Sequence, residues 1–468
     1  MEREMEITDL TLAEIAERTG EAVECLQRWR SCGLIGSNER PGFVPSDLAR
    51  VRLVRTLLDR GIELERIREA NEREGLLTAH LDTVFPRGIG RVYSSEQACD
   101  LIGWDRDTLR RFYQAAGLGD QGDVLYEEDV RALSAFKAAG NAGFPEEALL
   151  QLARVYADGL GRIAEAESRL YHFYVHDRMR ASGLSGRALM EADVASSERL
   201  VPMMEPALLY FHQKGRQRAA MEDAVFHLRD EAAQEGETAG RLRVAVMFVD
   251  LSSYTQLTDA MGDEAAARVV ARFSELVREC VVQTGGRVVK QIGDAFMLIF
   301  SHPRAAVACA LEIERCAARE PQFPAVRSGI HYGDVLYREG DYLGTTINVA
   351  ARLVSHAKRH QILVTDTVRH ELGGAAGPEL SSHGRHRLKG LADEIELFLV
   401  AEGPQGLESE RDAIDPVCGM ELRQGDVIAT LSLHGHERAF CSQECLQRFV
   451  ATPERYEHAS PSDHSPRR

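Results

Sequence analysis

The chain has 468 residues, 44% hydrophobic and 28% charged, with a formal net charge of −17. That length exceeds one ordinary domain and predicts three or four, and the acidic balance argues against a surface that binds nucleic acid over its whole extent. The start, MEREMEITDL, is acidic without an apolar h-region, and no apolar run reaches bilayer length; no signal peptide and no membrane span are expected, and a cytoplasmic protein is.

Residues 8–72 read as short helices with a wing. LTLAEIAERTG is an amphipathic helix ending at Gly20, and EAVECLQRWRSCGL is a second stopped at Gly33. After Pro41-Gly42 comes SDLARVRLVRTLLDRGI, with Ser46 or Asp47 as the expected cap. The order then recurs in YSSEQACDLIGWDRDTLRRFYQAAGLG and LYEEDVRALSAFKAAGNAGF. Gly20 matches Gly103, Leu34 matches Leu118 and Asp47 matches Asp129, a diverged internal repeat. Residues 146–235 carry apolar side chains at helical spacing throughout. Long and sparsely capped, these helices suit a dimer interface and a transmission element.

The pattern changes at Arg241. RVAVMFVDL is a buried-type strand, a helix spans 263–283, and RVVK and AFMLIF flank the turn QIGD. The helix HPRAAVACALEIERCAA and the strand AVRSGIHYGDVLY complete the order βαββαβ, which predicts a ferredoxin-like sheet. A polar linker, EGPQGLESERDA, leads to a small Cys-containing tail. The fold class is therefore multidomain α+β, with a helical, winged-helix-like N-terminal half, a ferredoxin-like βαββαβ domain and a small metal-binding module at the C-terminus.

Asp250 ends an apolar strand and Asp294 sits in a hairpin turn. A carboxylate at a buried strand end needs a partner. Two such acids on neighbouring strands can hold two divalent cations for phosphoryl chemistry, the bland alternative being a pair of turn aspartates. Lys290 precedes Asp294 by four residues, and Asp341 opens the stretch GDYLGTTINVAAR. Together they suit adenine, as donor to a ring nitrogen and acceptor from the exocyclic amine, or they form an ordinary surface ion pair. Asn348 and Arg352 lie one helical turn apart on one face, an amide for a ribose and a planar fork for phosphate oxygens. Lys389, in HRLKGL, is a further phosphate ligand to consider. There is no G-x-x-x-x-G-K-[ST] loop.

VMFVDLSSYT, RVVKQIGDAFM, SGIHYGDV and GDYLGTTINVAAR resemble the catalytic domain of class III adenylate/guanylate cyclases, over residues 240–402. The resemblance implies Asp250 and Asp294 as ligands of two Mg²⁺ or Mn²⁺ ions, and Lys290 and Asp341 as adenine-selecting residues. It further implies Asn348 and Arg352 as the transition-state pair and Lys389 as a triphosphate contact. Guanylate cyclases of this family usually carry Glu and Cys at the two base-reading positions, so ATP is the expected substrate. These cyclases act as dimers, one chain supplying the acids and the other the base-reading and transition-state residues. All the roles occur in this one chain, which implies a homodimer. The activity so implied is conversion of ATP to cyclic AMP and pyrophosphate.

Residues 1–75 resemble the winged helix-turn-helix of MerR-type regulators, with Gln27, Arg28, Phe43 and Val44 where DNA-contacting residues usually stand. Regulatory or dimerisation use is favoured over DNA binding. Residues 76–235 resemble the regulatory region of some soluble bacterial cyclases. The tail, 412–458, resembles a YHS domain through DPVCGM, FCSQEC, Phe449 and Pro453. Cys418, Cys441 and Cys445 can converge on one zinc or copper ion, with His434 or His436 completing the set. The competing readings are a MerR-like DNA-binding regulator that uses the cyclase fold as a nucleotide sensor, and a guanylate or dual-specificity cyclase.

Overall fold

The computed structural model describes residues 10–36, 42–84, 90–118, 124–230, 241–320, 322–373, 378–391, 393–401, 411–423, 425–433 and 436–456. The chain forms two compact units, Met1–Glu235 and Gly236–Arg468.

In the first unit, α1 (Leu12–Thr19), α2 (Val23–Ser31), α3 (Pro45–Asp59), α4 (Leu64–Glu74) and α5 (Leu76–Val84) enclose a core that includes Ile15, Leu26, Trp29, Leu34 and Phe43. Thr11 and Glu14 form a reciprocal capping box at the start of α1, and Gly20 ends it in the left-handed region at φ 72. The cap of α3 differs from the sequence reading. Val44 is its N-cap and Pro45 takes the first helical position, where a missing N–H costs nothing. Asp47 lies further in, buried, and accepts from the N–H groups of Gly36 and Val44.

The second copy of this pattern comprises β1 (Val92–Tyr93), α6 (Ser95–Ile102), α7 (Arg106–Ala115), β2 (Leu125–Tyr126) and α8 (Glu127–Asn141). A Ser94–Gln97 box replaces Thr11–Glu14, and Gly103 is left-handed like Gly20. Asp129 accepts from Tyr126 N–H as Asp47 does from Val44, and the β1–β2 pair stands where Leu10 bridges Phe43. Leu34 is fully buried, whereas Leu118 is 49% exposed. The region 146–235, expected to be helical throughout, is interrupted, and its last five residues, 231–235, lie outside the described residues. Here α9 (Glu146–Tyr171) passes through a π turn at His172–His176 into α10 (Asp177–Ala181), and α11 (Gly186–Asp230) starts anew after Gly183, at φ 98. Pro202 and Pro206 lie inside α11, each removing one helical hydrogen bond.

The second unit begins with β3 (Arg241–Leu251), α12 (Tyr254–Met261), α13 (Asp263–Gln283), β4 (Arg287–Ile292), β5 (Ala295–Phe300), α14 (Pro303–Ala317) and β6 (Val326–Arg338). The strands lie in the order β4-β5-β3-β6, every neighbour antiparallel, which is the ferredoxin-like arrangement. Then follow β7 (Asp341–Leu343), α15 (Thr345–His356), β8 (Ile362–Thr365), α16 (Asp366–Leu372), β9 (Glu379–His386) and β10 (Ile395–Ala401). These extend the sheet: β8 runs parallel to β6, β10 and β9 continue outward, and β7 pairs with the far end of β6. On β3, Ala245, Met247 and Val249 join the core formed with α13 and α14, while α15 packs over β3 and β6. Buried on both faces, β3 reads as an unbroken apolar run rather than an alternating one.

The tail adds β11 (Arg411–Ile414), β12 (Glu421–Arg423), β13 (Ala429–Leu433), β14 (His436–Phe440), α17 (Gln443–Ala451) and α18 (Pro453–Tyr456). Its core of Val417, Met420, Phe440 and Phe449 is continuous with Leu257 and Ala260 of α12.

The tightest helix–sheet contact is at Gly329 on β6. A methyl group there would lie 2.4 Å from Val354 N and 2.6 Å from Leu353 Cβ. Backbone cannot yield as a side-chain tip can, so Gly329→Ala is expected to cost about 2–3 kcal/mol by overpacking. Chemical denaturation should show a lowered midpoint with an unchanged slope; a wild-type midpoint would contradict this packing of α15.

Candidate active site

Asp250 lies at the end of β3, its side chain 15% exposed, directly across the sheet from Arg327 on β6. Arg327 donates to one oxygen of Asp250 through both Nη2 and Nε, the latter at 3.1 Å. Asp294 follows Gly293 (φ 63) in the two-residue turn between β4 and β5, the turn in which a hairpin needs a left-handed first residue. Because Phe296 pairs with Val249, this register sets the turn beside Asp250, and the two carboxyl groups come within hydrogen-bonding reach. Burial, and then the negative charge of Asp250, push the Asp294 carboxyl up to about 7. Two acids facing one guanidinium leave uncompensated negative charge, which a divalent cation would satisfy as well as a proton does.

Lys290 lies on β4 and Asp341 opens β7; the structure brings them together as an ion pair, the two side chains 40% and 39% exposed. Asp341 also accepts from the N–H of Tyr342 at 2.8 Å. Asn348 and Arg352 stand exposed on α15, while Val349 and Leu353 turn inward to the sheet. Among the described residues, no hydrogen bond or ion pair joins Asn348 or Arg352 to Asp250 or Asp294. Lys389 is exposed in the β9–β10 connection, just after buried Leu388 and well short of the start of β10.

In the tail the three thiols meet. Cys418 Sγ lies 3.5 Å from Cys441 Sγ, which lies 3.6 Å from Cys445 Sγ, and all three residues are buried. Contact with Cys418 holds the Cys445 thiol low, while contact with Cys441 pushes Cys418 up. The fourth group around it is Asp415. His434 lies outside the described residues, and His436 is exposed on β14. Fully buried, Asp415 accepts from the N–H groups of Val417, Cys418 and Cys441 and so ties the Pro-Gly turn to β14. Sequence reasoning passed over both Arg327 and Asp415. The signal for Arg327 is a lone cation in an otherwise buried strand; for Asp415 it is an acid immediately before Pro416.

Comparison with known proteins follows this geometry. The family model of the adenylate and guanylate cyclase catalytic domain matches residues 238–402, and that of the adenylate cyclase regulatory domain matches 46–212. A YHS domain matches 413–460 and a MerR HTH family regulatory protein matches 10–74. The regulatory match thus begins inside the segment read as helix-turn-helix. An adenylate cyclase of Streptomyces coelicolor is 31% identical over 288 residues, covering 61% of this chain and 73% of that one. The chain belongs to the class III adenylate cyclase family. A pH-sensitive adenylate cyclase of Mycobacterium tuberculosis is 28% identical over 363 residues, 76% of this chain and 88% of that one. Among solved structures, an adenylate/guanylate cyclase/hydrolase from Silicibacter pomeroyi aligns at 27% identity with a TM-score of 0.32, over 34% of this chain and 97% of its own. Among the described residues, no helix of this cyclase is long and apolar enough to cross a membrane.

The tail of the cyclase docks directly behind the Asp250 loop. Arg359 Nη2 donates to Ser253 Oγ at 2.7 Å and to the carbonyl of Gly419 at 2.9 Å. Ser253, three residues beyond Asp250, is held at φ 66, a region that side-chain-bearing residues seldom occupy. Gly419 adjoins Cys418 and lies so close that a methyl group there would be 2.9 Å from Ser253 Cβ. Nearby, His360 bonds Glu314 of α14 through one ring nitrogen and Glu421 of β12 through the other, with Arg359 3.8 Å from Glu421. Burial opposes the His360 charge, but the two carboxylates outweigh it and raise the group from 6.5 to about 9. The bridge is therefore fully formed below about pH 6.5 and is lost as pH rises through about 9. Amide protection factors in residues 415–423, exchange rates corrected for their intrinsic rise with pH, should fall over that interval in the wild type. They should be low and nearly flat across it in His360→Gln; identical protection profiles would remove His360 as the pin.

Proposed function

We propose that the protein converts ATP to 3′,5′-cyclic AMP and pyrophosphate, in a homodimer whose sites each draw on both chains. The observation that carries this reading is the pair of facing carboxyl groups, Asp250 and Asp294, beside a single guanidinium. Their charge deficit fits Mg²⁺ or Mn²⁺. When bound, two such ions would make the ribose 3′-hydroxyl more acidic and neutralise charge on the departing pyrophosphate.

The residues of the chain supply the rest. Arg327 orients Asp250. Asp341 accepts from the adenine amine and Lys290 donates to a ring nitrogen, each leaving its present ion-pair partner only part-way. Asn348 positions the ribose, and Arg352 places its fork on the α-phosphate as charge grows there. Lys389 meets the outer phosphates. A second copy of the chain brings Asn348 and Arg352, which point to solvent here, to the acids. The long helices of the first unit support such pairing, because Leu170, Phe173, Leu209 and Phe211 are 55–72% exposed on them.

Three buried thiols 3.5–3.6 Å apart fit one tetrahedral zinc or copper ion, with Cys418, Cys441 and Cys445 as ligands. Through Gly419, Ser253 and Arg359, occupancy of this cluster would reach the Asp250 loop. The N-terminal unit is a second regulatory element.

Asp250→Ala and Arg352→Ala should each lower turnover at least ~100-fold while the protein stays folded. Near-normal cyclic AMP formation by either would reject the assignment. ATP should turn over faster than GTP with either Mg²⁺ or Mn²⁺; the reverse order would make the enzyme a guanylate cyclase. Freshly purified wild type should contain one thiolate-bound metal per chain by elemental analysis, lost in Cys418→Ser; a metal-free wild type with unchanged stability in chelator would make the tail a plain thiol fold.

A further inference from the structure

Three histidines on the catalytic domain converge where no role has been assigned. His356 occupies the last turn of α15, and His383 and His386 lie on β9. One ring nitrogen from each lies within 4.8 Å of the others. The imidazoles of His383 and His386 stack at 5.1 Å, and that of His356 lies 4.6 Å from His386.

Strand geometry by itself would not produce this. Residues three apart on a regular strand point to opposite faces. On β9 the register slips: Leu397 pairs with Gly384 and Phe398 with Ser382, so His383 is the extra residue of a β-bulge. Gly384 takes φ 89 to allow it. The bulge turns His383 to the face of His386, toward α15, a use to which bulges near functional sites are commonly put. Among the described residues no carboxylate pairs with any of the three. The carboxyl end of α15 adds a negative dipole pole at the same point.

We propose that His356, His383 and His386 form a binding site for a transition-metal dication such as Zn²⁺, clamping the end of α15 to β9. Three imidazoles are a ligand set suited to zinc, nickel or copper, with the fourth position open to water. Nitrogens bound at 2.0–2.1 Å to one ion lie about 3.4 Å apart, so the rings need close by about an ångström, within the reach of side-chain rotation. His356 follows Arg352 by one helical turn, and Lys389 follows His386 by three residues. The clamp thus joins the two segments that carry proposed phosphate contacts, a consequence that rests on the cyclase reading; the metal site itself does not.

The full chain is loaded with Zn²⁺, passed through a desalting column and counted by elemental analysis. Wild type should hold one more Zn²⁺ per chain than His383→Gln/His386→Gln, and the exposed single variant His356→Gln should also lose it. Loading with Co²⁺ should give a visible spectrum whose extra component, absent from the variants, lacks thiolate charge-transfer bands. Equal metal counts in wild type and both variants would overturn the site. The stoichiometry is read without nucleotide, so it stands or falls apart from the cyclase activity.

Discussion

Where β3 ends and the β4–β5 hairpin turns, two carboxyl groups face each other, and one guanidinium, that of Arg327, bonds the Asp250 carboxyl. Everything chemical about the second unit depends on that imbalance. The eleven-residue pairing of β3 with β6 sets Arg327 opposite Asp250, and the two-residue turn carrying Gly293 delivers Asp294. A fold that merely needed to be stable would place a neutral or paired group at such a half-buried point. This one keeps a carboxyl whose pKa burial and the facing acid push up to about 7; on the proposed function a divalent cation takes the place of that proton.

The same loop is under tension from behind. Ser253 is left-handed, Arg359 ties it to Gly419, and Gly419 adjoins a cluster of three buried thiols. Packing continues from the tail core into α12, so the tail and the acid-bearing loop share one hydrophobic cluster. Two clusters then lie close to the residues proposed for catalysis: three thiols behind Asp250 and three histidines one turn beyond Arg352. Interiors are close-packed, so on the proposed reading a change in ligation at either cluster would be felt by those residues.

Much of this was legible in the sequence because it rests on local rules. Asp250 and Asp294 stand out as acids at the edges of apolar runs, the QIGD turn has its glycine in place, and Asn348 and Arg352 share a face by helical spacing. Cys441 and Cys445 lie one turn apart, and Cys418 lies in a turn rich in Pro and Gly. The βαββαβ order sufficed for the sheet order. What escaped depends on contacts distant in sequence. Arg327 is significant only through its register with Asp250, 77 residues away. Asp415 looks like one more turn residue until its three backbone donors converge. For the fourth position of the thiol cluster the sequence offers His434, which lies outside the described residues, or His436, which is exposed on β14, and Asp415 stands nearest. The break after α10 was missed because Gly183 sits in an otherwise helical pattern, and the bulge at His383 leaves no periodic trace.

The central claim is that the acids of one chain work with α15 of another. It is tested most directly by mixing purified Asp250→Ala protein with purified Arg352→Ala protein, under conditions that let dimers exchange, and measuring cyclic AMP formation. Each parent alone is inactive on this account. Random pairing makes half the dimers mixed, each with one intact site, so activity should return to roughly a quarter of wild type. A mixture as inactive as its parents, with subunit exchange demonstrated, would contradict it.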